Sequence, residues 1–161
     1  WSFEVVRCAG ILTHECSMTT DDLVAIEVPR VAVAAAELRN EVADALAHAR
    51  GVLLFPSTER ISRGPVVVIA GDRHGASRLI EESGKIAEAL GAPLKRLDHD
   101  GQVGPAEQER REAGDIATAV RRIGAALAVV DAGNPIVSEF LARPRFLREL
   151  GAPLLLLNAT D

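Results

Sequence analysis

The strongest constraint on the fold is that the apolar runs of this chain show no polar alternation. Val66 to Ala70 and Leu154 to Leu157 are apolar at every position, and segments with helical spacing of apolar residues separate such runs. A strand with one solvated face alternates, so strands that are apolar throughout belong to a parallel sheet covered by helices on both faces. The sequence therefore predicts a doubly wound α/β fold with a mainly parallel sheet.

The expected elements alternate along the chain. A glycine closes each of three helical stripes, and Asn134 with Pro135 supplies a cap and a first-turn proline for a later helix, which Pro144 interrupts. The three closing glycines, where a left-handed residue is expected, are Gly51, Gly91 and Gly124. Strands are predicted near 3–6, 23–28, 52–55, 65–70, 94–97, 127–130 and 153–157, with helices between them.

Composition excludes several classes of function. The chain has 161 residues and a formal net charge of -5, so its charge does not favour binding to nucleic acid. Its apolar runs are too short to cross a membrane. Aromatic residues make up 3% and Tyr is absent, which removes base-stacking platforms. Two cysteines, Cys8 and Cys16, and no signal-like leader indicate a cytoplasmic protein.

An internal repeat organises the chain. Cys8 to Val28 aligns with Glu112 to Ala132 at an offset of 104, which keeps the apolar phase, and with a drift of two residues Leu38 falls on Phe140 and Leu53 on Leu155. Residues 1–60 are then the later part of a first unit and residues 64–161 a whole second unit. With Trp1 as the first residue, we expect the C-terminal portion of a longer tandem protein. The alternative is the common rhythm of any α/β chain.

Short tags in both units carry a resemblance to a known family. Pro65-Val-Val-Val-Ile-Ala, Ala126-Leu-Ala-Val-Val-Asp and the two Gly-Ala-Pro-Leu segments at 91–94 and 151–154 resemble the universal stress protein family. That resemblance implies a bacterial stress-response module with a five-stranded parallel sheet. It also implies dimerisation through the last strand, so we expect a homodimer or an equivalent pairing of the two units within the chain. One branch of the family binds ATP.

The residues depart from the ATP-binding branch. After its fourth strand that branch has a Gly-x-x-Gly and a further glycine, whereas this chain reads Asp131, Ala132, Gly133, Asn134, Pro135, Ile136, in which only Gly133 corresponds. The first unit has no glycine after Val28, and the charged, helix-prone segment 105–111 stands where the family has a strand. We therefore expect no ATP cofactor.

One loop nevertheless has the features of a ligand site. Glycines and charged side chains join a strand end to a helix start, where open α/β sheets bind ligands, and its backbone donors with Arg73 and His74 could meet an anion. The alternative is a tight turn with a helix cap. The candidate residues are Gly71, Asp72, Arg73, His74, Gly75 and Ser77, with Asp131, Gly133 and Asn134 expected to face the same crevice.

No catalytic or metal-binding constellation is visible in the sequence. His14, His48 and His99 are scattered, and no nucleophile elbow occurs. The first hypothesis is therefore a non-enzymatic cytoplasmic module that acts through dimerisation or protein association. The alternatives are a nucleotide-binding protein, for ATP or AMP, that uses the degenerate loop from Gly71 to Ser77, and a small enzyme of another doubly wound family.

Overall fold

A computed structural model shows, in the residues that it describes, a six-stranded sheet flanked by five helices. It describes residues 22–28, 35–56, 63–71, 76–98 and 106–158, with the side chains of 98 and 106–112 outside the description. The strand and helix predicted before Leu23 lie outside these residues. The elements are β1 Leu23–Val28, α1 Ala35–His48, β2 Gly51–Pro56, β3 Val66–Ala70, α2 Ala76–Ala89, β4 Leu94–Asp98, α3 Ala106–Ile123, β5 Leu127–Asp131, α4 Pro135–Ala142, α5 Pro144–Glu149 and β6 Leu154–Leu157.

The sheet has the order β1-β2-β6-β5-β3-β4 and is mainly parallel. β4, β3, β5 and β6 are mutually parallel, as are β1 and β2, while β2 and β6 run antiparallel to each other. The predicted doubly wound class is therefore confirmed, with one antiparallel step in the middle of the sheet. The segment from residue 106 is the start of α3, in agreement with its helix-prone sequence.

Helices cover both faces of the sheet, in unequal numbers. On the four-helix face, α1, α3, α4 and α5 pack on alternate strand residues such as Val52, Val130 and Leu156. On the α2 face, Leu79 and Ala87 of α2 pack on the other residues of β3, β5 and β6. All five residues of β3 are buried because a helix lies on each side of it.

Strand register relates the pair β1–β2 to the pair β5–β6 by a local two-fold axis. Ala25 pairs with Leu53, and their aligned counterparts Val129 and Leu155 pair in the same way. In the antiparallel step Leu53 lies opposite Leu155, its own counterpart. The pattern places the axis between these two leucines, perpendicular to the sheet.

The helix ends follow the sequence except at Gly51. Gly91 and Gly124 have positive φ, as predicted for residues that close a helix, and so does Gly151. The prediction for Gly51 is wrong, because its φ is not positive and the residue begins β2. A Cβ at this position would lie 2.5 Å from the carbonyl oxygen of Leu156. The end of α1 is capped instead by the residue after β6, because the Asn158 amide donates to the carbonyls of Leu46 and Ala49 at 2.9 and 3.0 Å.

Candidate functional site

The predicted crevice lies at the carboxyl ends of β3 and β5. These strands are parallel neighbours, and from them the chain departs in opposite directions, to β4 on one side and β6 on the other. This is the topological switch point at which open α/β sheets bind ligands. Gly71 follows β3, and a Cβ placed on it would lie 3.5 Å from the Asn134 Nδ2, so the two loops are in contact.

The loop from β5 to α4 is built from its own side chains. The Asp131 carboxylate accepts a hydrogen bond of 2.7 Å from the backbone N–H of Gly133, while the N–H of Asn134 donates to the carbonyl of Asp131 at 2.9 Å. A Cβ on Gly133 would lie 3.0 Å from the Asp131 Oδ1, so a glycine suits this tight turn. Asp131 is half-buried and Gly133 is exposed.

Asn134 forms the cap of α4, as predicted. Its Oδ1 accepts a 3.1 Å hydrogen bond from the N–H of Ile136, and its carbonyl accepts one from Val137 at 3.0 Å. Pro135 follows at the first helical position, where its missing N–H costs nothing. Only 9% of Asn134 is exposed, because the side chain points back into the turn that it stabilises.

Every backbone donor from residue 132 to residue 137 is consequently used within the protein. The N–H of Ala132 extends the β5–β6 pairing to the carbonyl of Leu157 at 2.8 Å, the next donors bond to Asp131 and Asn134, and Pro135 has none. A phosphate at this loop would have to displace these acceptors, since an anion needs several N–H groups aimed at it. The structure therefore gives the loop a capping role.

The other half of the predicted site is described only in part. Ser77 is exposed in the first turn of α2, and Gly71 is half-buried. Asp72, Arg73, His74 and Gly75 lie outside the described residues, as do His14, His99, Cys8 and Cys16. The structure thus brings Gly71, Asp131, Gly133 and Asn134 together, and shows Ser77 at the start of the helix that follows the loop.

Metal-ligating side chains do not converge in the described part of the chain. No cluster of three or more metal-ligating side chains occurs among those residues. The ring of His48, the described histidine, is exposed and its Nδ1 lies 3.0 Å from the carbonyl of Asp44 at the end of α1. None of the described helices is both long and apolar enough to span a bilayer.

Sequence reasoning missed the acceptor role of the Leu157 carbonyl, which takes the first donor of the β5–α4 loop. Backbone acceptors carry no residue-type signal, so only the pairing of β5 with β6 reveals them. A scan against known protein families and a search of curated proteins gave no match to this chain.

Proposed function

We propose that this chain is a non-enzymatic cytoplasmic module that works through protein association. The observation that supports the proposal is the local two-fold arrangement, in which two like units are joined through their last strands. Joining like units edge to edge is what a sheet-based association module does, because an open strand edge offers unpaired N–H and C=O groups to another strand.

The internal junction bears on the homodimer expected from the universal stress protein resemblance. Such a dimer would use β2 or β6, and both edges of each strand are already paired in the sheet. Val52, Leu54, Leu154 and Leu156 are also buried along this junction. Pairing of the two units within the chain therefore takes the place of homodimerisation through these strands, and further association would use another surface.

The state of the β5–α4 loop supports the absence of ATP binding. Each lost hydrogen bond to a charged group weakens binding by about 1.5 to 3 kcal/mol, and the donors of this loop are already engaged. Ile136, which stands at the second glycine position of the ATP-binding pattern, is buried at 3% exposure in the helix core.

Nucleotide binding remains the second candidate, because Gly71 and Asn134 meet at the switch point beside the start of α2. Titration calorimetry with ATP and AMP separates the two. Two lost charged hydrogen bonds weaken binding by about two to four powers of ten, because each power of ten corresponds to about 1.4 kcal/mol. From a micromolar dissociation constant, we therefore expect no binding tighter than about 100 μM. A low-micromolar dissociation constant that is lost in Asp72→Ala would favour the nucleotide-binding candidate instead.

A further inference from the structure

Two arginines lie against one aromatic ring where α4 meets α5. The guanidinium carbons of Arg143 and Arg145 are 5.9 and 4.9 Å from the centre of the Phe146 ring, which is buried. The ring also reaches α3, because a Cβ on Gly114 would lie 3.8 Å from the Cε1 of Phe146. The attraction between cations and the ring therefore holds two like charges close together beside the middle of α3.

A third arginine lies at the other end of the contact between α3 and α5. A Cβ on Gly151, the second residue after α5, would lie 3.4 Å from the Cγ of Arg121, so the stem of this arginine crosses the end of α5. Gly114 and Arg121 are seven residues apart on α3, which separates the two ends by about 10 Å. α3 and α5 therefore run side by side in the same direction, with a cation at each end of their contact.

The residue between the two ends on α3 is small. Thr118 lies on the same side of the helix as Gly114 and Arg121 and is exposed, and its hydroxyl donates to the carbonyl of Gly114 at 2.8 Å. A partner can therefore approach α3 closely between the arginines. We define the arginine surface as Thr118, Arg121, Arg143, Arg145 and Phe146.

The arginine surface is positively charged, although the chain as a whole has a formal net charge of -5. Among the described side chains of α3 and α5, the acidic ones are Asp115 and Glu149, both exposed. Within the described residues no carboxylate forms an ion pair with Arg121, Arg143 or Arg145. The lysines of the chain lie elsewhere, on α2 and β4, so the surface presents guanidinium groups, which pair with carboxylates in a bidentate manner.

We propose that the arginine surface is a docking site for an acidic helix of a partner polypeptide, with carboxylates that stand two helical turns apart. One carboxylate pairs with Arg143 and Arg145 beside Phe146, and the other pairs with Arg121. The proposal rests on the association function, and it names the surface and the chemistry of the partner.

The spacing of the arginines is the reason for choosing a helix. Side chains at positions i and i+7 of a helix lie on nearly the same face and about 10 Å apart, which matches the separation of the two ends. Side chains on one face of a strand repeat at about 7 and about 13 Å, so a strand fits less well. A single phosphate group is too small to contact both ends.

Two observations disfavour nucleic acid as the partner. The net charge of the chain is negative, so long-range attraction to a phosphate backbone is absent. The ring of the arginine surface, Phe146, is only 5% exposed, so it offers no face on which a base could stack.

The test uses the full chain and a fluorescent helical peptide of alanine and glutamine that carries glutamates seven residues apart. An isomer with the same composition carries them five residues apart, so that they wind around the helix. We expect the first peptide to bind about fivefold more tightly in fluorescence anisotropy at low salt, because one further exposed ion pair contributes up to about 1 kcal/mol. Added salt should weaken the binding.

Matched variants locate the binding on the arginine surface. Arg121→Gln and Arg145→Gln each remove the charge at one end, and each should weaken binding of the first peptide about fivefold and abolish its advantage over the isomer. Arg78→Gln makes the same change at an exposed position of α2, on the other face of the sheet, and should leave binding unchanged.

A further variant keeps the test valid if a glutamine variant is destabilised. The exposed positions of Arg121 and Arg145 predict unfolding midpoints close to that of the parent, which urea denaturation checks. Asp115→Asn removes an exposed carboxylate of α3 and should strengthen peptide binding about twofold, because like charges across an interface repel.

Three outcomes would overturn the proposal: no change in anisotropy with either peptide, equal affinity for the two isomers, or unchanged affinity in both arginine variants. Tighter binding of a single-stranded RNA with the same number of charges would also overturn it and would identify nucleic acid as the partner. The association function is contradicted by low-micromolar nucleotide binding, which none of these outcomes concerns, so the two failures are distinguishable.

Discussion

At the scale of single residues, close backbone approaches determine where a side chain is tolerated. Gly64 precedes β3, and a Cβ on it would lie 1.7 Å from the carbonyl oxygen of Gly124, which belongs to the turn before β5. Gly84 lies inside α2, and a Cβ on it would meet nothing within 4 Å. Substitution by alanine should therefore change the stability of the protein in opposite directions at the two glycines.

Gly64→Ala is expected to lower the free energy of unfolding by about 2 kcal/mol or more, because backbone atoms must move apart to admit the methyl group. Gly84→Ala is expected to raise it by about 0.5 to 1 kcal/mol, since alanine is the better helix former. Urea denaturation followed by circular dichroism measures both. Equal effects of the two substitutions would show that the approach between Gly64 and Gly124 is not fixed.

The cap of α4 gives a second residue-scale prediction. Asn134→Ala leaves the N–H of Ile136 without its acceptor and should destabilise the protein by about 1 kcal/mol. Asn134→Ser keeps an acceptor at the cap and should recover most of that loss. Denaturation midpoints of the two variants decide the matter, and an alanine variant as stable as the parent would contradict the capping role.

At the scale of elements, local signals predicted what local interactions determine. Asn134 with Pro135 marked the start of α4, Pro144 separated α4 from α5, and Gly91 and Gly124 marked helix ends, because each acts within a few residues of itself. The prediction for Gly51 was wrong because α1 is capped by Asn158, which lies 112 residues from Leu46 in the sequence. No local sequence pattern reveals so distant a partner.

The candidate site was predictable to a similar extent. The switch point followed from the order of strands and helices, and the meeting of Gly71 with Asn134 agrees with it. The sequence did not predict that the backbone N–H groups of the β5–α4 loop bond within the protein. Those bonds depend on the orientation of the Asp131 carboxylate and on the Leu157 carbonyl of β6. Those are choices of tertiary packing that residue types leave open.

An ion pair connects α2 to the start of β2 and gives a pH-dependent prediction. The Glu82 carboxylate lies 3.0 Å from the Lys85 Nζ and 2.6 Å from the Arg50 Nη2. The hydrogen bond from Lys85, with the charge of Arg50, lowers the pKa of Glu82. Because the folded pKa is below the unfolded value of about 4.3, this stabilisation is present above that pH and is lost as the pH falls through the folded pKa.

Glu82→Gln should therefore reduce the free energy of unfolding at pH 7 by at most about 1 kcal/mol, the scale of partly exposed ion pairs. The difference from the parent should shrink as the pH is lowered from about 5 to 3, since the parent then loses the same charge. Glu88→Gln, on an exposed position of the same helix, is the matched control. A deficit of Glu82→Gln that persists unchanged at low pH would show that packing, and not charge, causes it.

At the scale of the whole molecule, the two units predicted from the sequence share one core and should unfold together. On the four-helix face, Val42 and Leu54 of the first unit belong to the same buried cluster as Val130 and Leu156 of the second. Neither unit can expose its part of this cluster without exposing the other, so α1 and α2 should lose hydrogen-exchange protection at the same denaturant concentration.

Leu156→Ala, at a fully buried position, should lower the unfolding midpoints of α1 and α2 equally, by removing about 2 to 5 kcal/mol of stability. Leu90→Ala, at a residue 59% exposed, should change neither appreciably. If α1 lost protection while α2 kept it, the units would be independent and the β2–β6 pairing would be a contact between two separate folding units.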